Sequence, residues 1–339
     1  MPSRPRAMVV MDRRSFDAHF DAKRMKRLAD LADIHFPVWT DELDQPETRA
    51  RLRDTEVLLT SWGAPALTEE RLAHAPRLRA VFHCAGSVRG LVSDGVWRRR
   101  IRITSAADAN AIPVAEYTLA ATIFAGKKAP FLASDDQRAY EGWGTVIGYG
   151  DLSNFERTVG VVGFSRIGRR VVDLLRILDG TRVLVADPYA DPAEVARSGA
   201  TLVTLDELLP QVDVLSLHAP ALEETRHLIG AAQLSALPDY ATVINTARGS
   251  LVDQDALAAE CAAGRLFAIL DVVDPEPLPA ASPLRNQTHV MITPHIAGSL
   301  GTEIGRLTDH ALDELARWTA DQPLHAEITA AHWALDRIA

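Results

Sequence analysis

Residues Val159–Val171 read VGVVGFSRIGRRV. An apolar run enters the turn Gly163-Phe164-Ser165-Arg166-Ile167-Gly168, and a helix-compatible segment follows. The dinucleotide-binding turn has the form G-x-G-x-x-G. Its first glycine turns the chain, its second lets backbone approach a pyrophosphate, and its third lets helix and strand pack closely. Here the middle position is Ser165. A side chain there lifts the backbone from a phosphate unless its hydroxyl replaces a contact. Taken alone, the stretch reads equally well as a chance turn. Asp187 adds weight: it follows the next apolar run, Arg182–Ala186, 19 residues after Gly168. An acid about 20 residues on accepts hydrogen bonds from the adenosine ribose of NAD and repels the 2′-phosphate of NADP. The blander reading is an Asp-Pro turn in VADPYADP. With strand, glycines and acid in register, the segment is a candidate NAD site.

Working outward, six strand candidates surround this turn: Thr158–Val162, Arg182–Ala186, Val212–Leu217, Thr242–Thr246, Phe267–Asp271 and His289–Thr293. Amphipathic intervals separate most of them, as in a complete doubly wound sheet. An earlier series, Ala7–Met11, Val57–Thr60 and Ala80–His83, alternates with the helical spacing of Asp41–Asp54 and Thr68–Ala75. Pro113–Lys127 is expected to form a helix with proline in its first turn, opening the second domain. A tail helix with an apolar stripe at Ile304, Leu307, His310–Leu312 and Leu315 is expected to return to the first domain. The expected class is α/β, with two doubly wound parallel-sheet domains. One is a Rossmann NAD domain at 112–298; the other is a discontinuous, flavodoxin-like substrate (cap) domain at 1–111 and 299–339.

Composition narrows the function. The chain has 339 residues, 36 Lys and Arg against 45 Asp and Glu, and a formal net charge of −9. Such a chain repels phosphate backbones unless a local basic patch intervenes, so no nucleic-acid partner is expected. Trp97-Arg98-Arg99-Arg100 reads as a solvated face. No uncharged apolar run reaches the 18 residues or so a membrane span needs, and the N-terminus has no apolar core of a secretory signal. Cys84 and Cys261 stand alone, which suits buried thiols in the cytoplasm and gives no metal-ligand pair.

Three segments follow apolar strands, where a doubly wound sheet gathers its ligand groups. They are Asn245-Thr-Ala-Arg248-Gly-Ser-Leu-Val-Asp253, Asp271-Val-Val-Asp-Pro-Glu276-Pro, and Thr293-Pro-His295-Ile-Ala-Gly298. Arginine grips a carboxylate through two parallel hydrogen bonds. Histidine moves a proton near neutral pH, and a carboxylate partner fixes its tautomer. Each residue alone also fits a structural salt bridge or a structural histidine.

Taken together, these segments resemble the D-2-hydroxyacid dehydrogenases. VGVVGFSRIG, the Asp187 turn, Leu217-His-Ala-Pro220, Thr225-Arg-His-Leu-Ile-Gly230, INTARGSLVD, LDVVDPEP and TPHIAG occur in that family's order. The resemblance implies hydride transfer between NADH and a small 2-oxo or 2-hydroxy acid held in an interdomain cleft. It implies that Arg248 binds the substrate, His295 is the general acid and Glu276 orients it. Gly163, Ser165, Arg166, Ile167, Gly168, Asp187, Ala219, Thr225, Ala247 and Asp271 are implied in cofactor binding, with Asp271 near the nicotinamide carboxamide. Gly86, Ser87 and Val88 are implied in substrate binding, no metal is implied, and a homodimer is expected. Two departures qualify the likeness: Ser165, and the cap loop AGSVRG, where Val88 replaces a glycine and Arg89 is placed to meet a second anionic group or plain solvent. Trp143 and Tyr149 either close the substrate pocket or pack their loop, and packing is the preferred reading. Two alternatives stay open, an NADH-sensing module of corepressor type and a phosphite-type dehydrogenase.

Overall fold

The computed structural model describes residues 4–135, 146, 148–331 and 333. Its strands, in chain order, are β1 (Arg6–Val10), β2 (Asp33–Thr40), β3 (Val57–Thr60), β4 (Ala80–His83), β5 (Arg102–Ser105), β6 (Thr158–Val162), β7 (Arg182–Ala186), β8 (Thr201–Leu202), β9 (Val214–Leu217), β10 (Thr242–Asn245), β11 (Phe267–Leu270), β12 (Val290–Ile292) and β13 (Glu327–Ile328). The chain divides into two compact units, Met1–Asn110 with Ser299–Ile338, and Ala111–Gly298.

The first unit contains a six-stranded sheet in the order β13-β5-β4-β3-β1-β2. All its pairings are parallel except that of β13 with β5. Successive strand residues face opposite sides. Thus Met8, Val10, Leu58 and Val81 enter one core, while Ala7, Val9, Val57, Leu59 and Phe82 enter the other. The tail helix Ile304–Thr319 adds Ala311, Leu312 and Leu315 to this second core.

The second unit holds a fully parallel sheet in the order β12-β11-β10-β9-β6-β7-β8. Leu215, Val243, Ala268 and Leu270 face one core. Val159, Val161, Ile244, Phe267 and Ile269 face the other. Both faces are covered, so these strands read as continuous apolar runs.

Four strands escape the sequence reading. β8 and β13 are two residues long. β5 is the polar tetrapeptide RITS. β2 carries Pro37 and pairs only with β1 at the sheet edge, where a strand proline is tolerated. The expected helix Pro113–Lys127 begins earlier, at Ala107, so Pro113 lies inside it rather than in its first turn. Asp108, an acid in the first turn, complements the positive helix end and marks the earlier start.

Both cysteines are buried thiols, each pushed up to about 12 by burial. The expected basic face at 97–100 is partly engaged internally: Trp97 packs on Trp333, Arg98 pairs with Glu69, and Arg99 donates to the Leu72 carbonyl. Trp143 lies outside the described residues. Tyr149 is buried and packs near Phe267, with ring centroids 5.8 Å apart, as the packing reading has it. Among the described residues, no helix is long and apolar enough to cross a membrane.

Candidate active site

Strands β6 and β9 are neighbours, and the chain leaves them in opposite directions, toward β7 and β8 on one side and toward β10, β11 and β12 on the other. This reversal opens a crevice at the carboxyl ends of a parallel sheet. Gly163 occupies that point with φ +95°, and a Cβ there would come within 2.6 Å of the Ala219 amide nitrogen. Only glycine fits. A Cβ at Gly168 would strike the Gly163 carbonyl, so the third glycine is also required sterically.

Ser165 resolves its own departure from the pattern. It is the N-cap of the helix Arg166–Leu175, and its hydroxyl accepts from the Gly168 amide at 3.4 Å. The same hydroxyl donates to the His218 carbonyl at 2.9 Å. The side chain is thus turned into the fold, and the amides of Arg166 and Ile167 open the helix at its positive end. A pyrophosphate fits this arrangement. His218 lies beneath it, fully buried, with Nε2 2.8 Å from Ser216 Oγ. Burial lowers that imidazole to about 3, so it is neutral at physiological pH.

Asp187 closes the same region. Its carboxylate accepts from the Phe164 amide at 2.7 Å and the Tyr189 amide at 2.8 Å. Each oxygen keeps accepting capacity for a ribose hydroxyl. Ala219 and Ala247 are small and 9% exposed, which leaves room beside the crevice. Thr225 works locally: its hydroxyl donates to the Pro220 carbonyl at 2.7 Å and accepts from the Leu222 amide at 2.8 Å.

Strands β10, β11 and β12 lie side by side and carry Arg248, Glu276 and His295 beyond their carboxyl ends. Asn245 shapes the first loop, accepting from the Ala247 amide at 3.0 Å and donating to the Arg248 carbonyl at 2.8 Å. Arg248 is exposed, and its Nη1 donates to the Ala247 carbonyl at 2.6 Å. A Cβ at Gly249 would strike the Val273 backbone, so this loop runs tightly against the one leading to Glu276. His295 Nδ1 lies 2.9 Å from Glu276 Oε1, with both side chains nearly half exposed. With Nδ1 engaged, Nε2 is the nitrogen left to meet a ligand. A cavity of about 490 Å³ adjoins the pair, lined also by Pro277, Leu278, Leu284 and Ile292.

Asp271 has a part that sequence reading did not assign. It is 2% exposed. Its backbone carbonyl accepts from the His295 amide at 3.0 Å. Its carboxylate accepts from the Ile296 amide at 2.8 Å, the Ala297 amide at 2.9 Å and the Thr293 hydroxyl at 2.6 Å. His295 itself has φ +55°, a left-handed conformation uncommon outside glycine. Successive amides around such a residue form a concavity that binds an anion, and here the anion is Asp271. The carboxylate expected beside the nicotinamide therefore anchors the histidine loop.

The cap-loop residues lie in the first unit, after β4. Gly86 is partly exposed, and Ser87 Oγ accepts from the Arg89 amide at 3.3 Å. Val88 departs from expectation. Its side chain is 1% exposed and packs with Leu91 and Val92 in the unit's own core, so it forms no substrate wall. The Arg89 side chain is exposed and has no ion-pair partner among the described residues.

Sequence reading also missed Tyr117, Thr118, Thr246 and Thr293, which hydrogen bond in pairs behind these loops. Isolated hydroxyl residues carry no spacing signal that could have found them.

Residues 131–297 match the model of the D-isomer specific 2-hydroxyacid dehydrogenase NAD binding domain. The chain is 33% identical over 262 residues to D-3-phosphoglycerate dehydrogenase of Mycobacterium tuberculosis, covering 77% of this chain and 48% of that one. It thus spans about half the length of these relatives. It is 30% identical over 276 residues to glyoxylate/hydroxypyruvate reductase B of Yersinia enterocolitica, covering 80% of this chain and 83% of that one. A phosphoglycerate oxidoreductase structure from Rhizobium etli shares the fold, with TM-score 0.81, 22% identity, and 97% and 99% of the two chains covered. The chain belongs to the D-isomer specific 2-hydroxyacid dehydrogenase family, and residues 131–297 make up its NAD binding domain.

Proposed function

We propose that the protein is an NAD-dependent oxidoreductase that interconverts a small 2-oxo acid and its D-2-hydroxy acid. The observation that carries this reading is the 2.9 Å His295–Glu276 pair, which joins the loops beyond β12 and β11, with Arg248 in the loop beyond the next strand, β10. The cofactor, when bound, supplies the reducing equivalent at the carbonyl carbon. Gly163, Ser165, Arg166, Ile167, Gly168 and Asp187 would hold it, with Ala219 and Ala247 leaving space beside it. Arg248 holds the substrate carboxylate through its planar fork. As negative charge grows on the carbonyl oxygen, His295 Nε2 delivers a proton to that oxygen. Glu276 accepts from Nδ1–H and fixes the tautomer. A homodimer belongs to the same reading.

The test is NADH consumption with a panel of 2-oxo acids, glyoxylate and hydroxypyruvate among them. His295→Gln should lower kcat by about 10²- to 10⁴-fold, the usual worth of a positioned acid, while NADH affinity stays unchanged. Tight NADH binding without turnover of any acid would overturn the reading in favour of an NADH-sensing module.

A further inference from the structure

Tyr117 and Thr118 are consecutive residues in the middle of the helix Ala107–Lys127. The Tyr117 hydroxyl lies 2.7 Å from Thr293 Oγ1, and Thr293 Oγ1 donates to Asp271 Oδ1 at 2.6 Å. The threonine proton is committed to a carboxylate, so Tyr117 is the donor in its own bond. Burial raises its phenol above the ordinary range, which keeps that proton in place. Thr118 Oγ1 donates to the Val114 carbonyl at 2.8 Å and lies 3.0 Å from Thr246 Oγ1. Its proton is committed as well, so Thr246 donates to it.

The two chains end at different catalytic loops. Thr246 immediately follows β10 and stands two residues before Arg248. Thr293 immediately follows β12 and stands two residues before His295. Strand β11 separates β10 from β12, so the ladder hydrogen bonds do not tie these loops to each other directly. The helix does, through neighbouring hydroxyls. On the Tyr117 side the connection continues through the Asp271 carboxylate to the Ile296 and Ala297 amides that hold His295 in its left-handed conformation.

We propose that Tyr117 and Thr118 are positioning residues that set the spacing of His295 and Arg248, so that one small acid meets both. The proposal rests on the reductase reading. Each half acts on a different kinetic constant. His295 acts on charge that develops in the transition state, whereas Arg248 holds a carboxylate present in ground and transition states alike.

The test uses the full chain with Tyr117→Phe, Thr118→Val, Thr293→Val and Thr293→Ser. Tyr117→Phe should lower kcat about tenfold, the scale of one lost hydrogen bond, with KM for the acid within about twofold. Thr118→Val should raise KM for the acid about tenfold and leave kcat within about twofold. If Thr118→Val does not fold, Thr246→Val removes the same bond from its other end. Thr293→Val removes both of its bonds and should lower kcat at least as far as Tyr117→Phe, the double variant should be no worse than Thr293→Val, and Thr293→Ser should restore activity. A readout independent of turnover is amide hydrogen exchange. Exchange at Ile296 and Ala297 should quicken about tenfold in Tyr117→Phe and Thr293→Val. Unchanged exchange at those amides overturns the proposal, as does faster exchange with kcat intact, or equal effects of both helix variants on kcat and KM. If the parent protein turns over no 2-oxo acid, the reductase reading fails by itself and exchange alone decides the positioning claim.

Discussion

Acidification from pH 7 to pH 5 should weaken the first unit by about 4 kcal/mol through two histidines that its fold keeps neutral. His19 is buried between Thr308 Oγ1, 2.7 Å from Nδ1, and Ser61 Oγ, 2.7 Å from Nε2. Burial, then His83 and Arg24, lower it to about 4, against a small opposing pull from Asp12. His83 is buried with Nδ1 2.9 Å from Thr60 Oγ1, and burial lowers it to about 4. The ordinary value is 6.5. Between about 4 and 6.5 the unfolded chain binds more protons than the folded one, so stability falls as pH falls. At pH 5, about 1.5 pH units of that window have been crossed, which at 1.36 kcal/mol per unit is about 2 kcal/mol for each histidine. Surface carboxylates such as Asp44, held below its ordinary value by Arg71, retain their contribution over this range. Five tryptophans, Trp39, Trp62, Trp97, Trp318 and Trp333, belong to the first unit, so fluorescence follows its unfolding. With a urea slope of about 2 kcal/mol/M, the midpoint should drop by about 2 M. His19→Gln should remove about half of that drop, whatever it does to stability at pH 7. Equal midpoints at both pH values, or a full drop in His19→Gln, would refute the reasoning.

Two further tests concern the second unit. Lys128 is buried and donates at 2.7 Å to both the Tyr240 carbonyl and Thr242 Oγ1, and burial lowers its amine to about 7. The unfolded chain binds more protons between about 7 and 10.5, so this group should make stability rise with pH by about 1.4 kcal/mol per unit there. Lys128→Met should flatten that slope in urea unfolding followed by circular dichroism, and an unchanged slope would contradict the assignment. Asp187→Ala should weaken NADH binding about tenfold and narrow the preference over NADPH, because a charged acceptor and a repulsive group leave together. Titration with both cofactors checks this, and an unaltered ratio of the two affinities counts against the role of Asp187.

What the sequence disclosed follows from how much of each feature is local. The buried parallel strands were legible because both of their faces are apolar: β3, β4, β6 and β7 match the expected spans to the residue. β2 was not legible, because an edge strand with one neighbour tolerates Pro37 and polar residues. Arg248, Glu276 and His295 were legible as strand-tip residues. The work of Ser165 was not, because its acceptor is the His218 carbonyl, 53 residues away. Val88 misled for a related reason: a loop pattern gives the position of a residue but not the direction of its side chain, and this one turns into the core.

Asp271 shows why the histidine loop and the strand before it form one physical unit. A left-handed residue other than glycine costs roughly 1–2 kcal/mol. At His295 that conformation aligns the following amides toward a single point, and a carboxylate there receives two of them together with the Thr293 hydroxyl. Charge-assisted hydrogen bonds of this kind contribute about 1.5–3 kcal/mol each, enough to offset the backbone strain. A buried carboxylate with fewer partners would be expensive to keep charged, so strain and charge are each stabilised by the other. The imidazole is consequently aimed by two carboxylates at once. Asp271 sets the backbone from which the ring projects, and Glu276 sets the rotation of the ring through Nδ1. Removing either leaves the other unable to hold Nε2 in one direction, so the aim of the ring rests on the three residues jointly rather than on His295 alone.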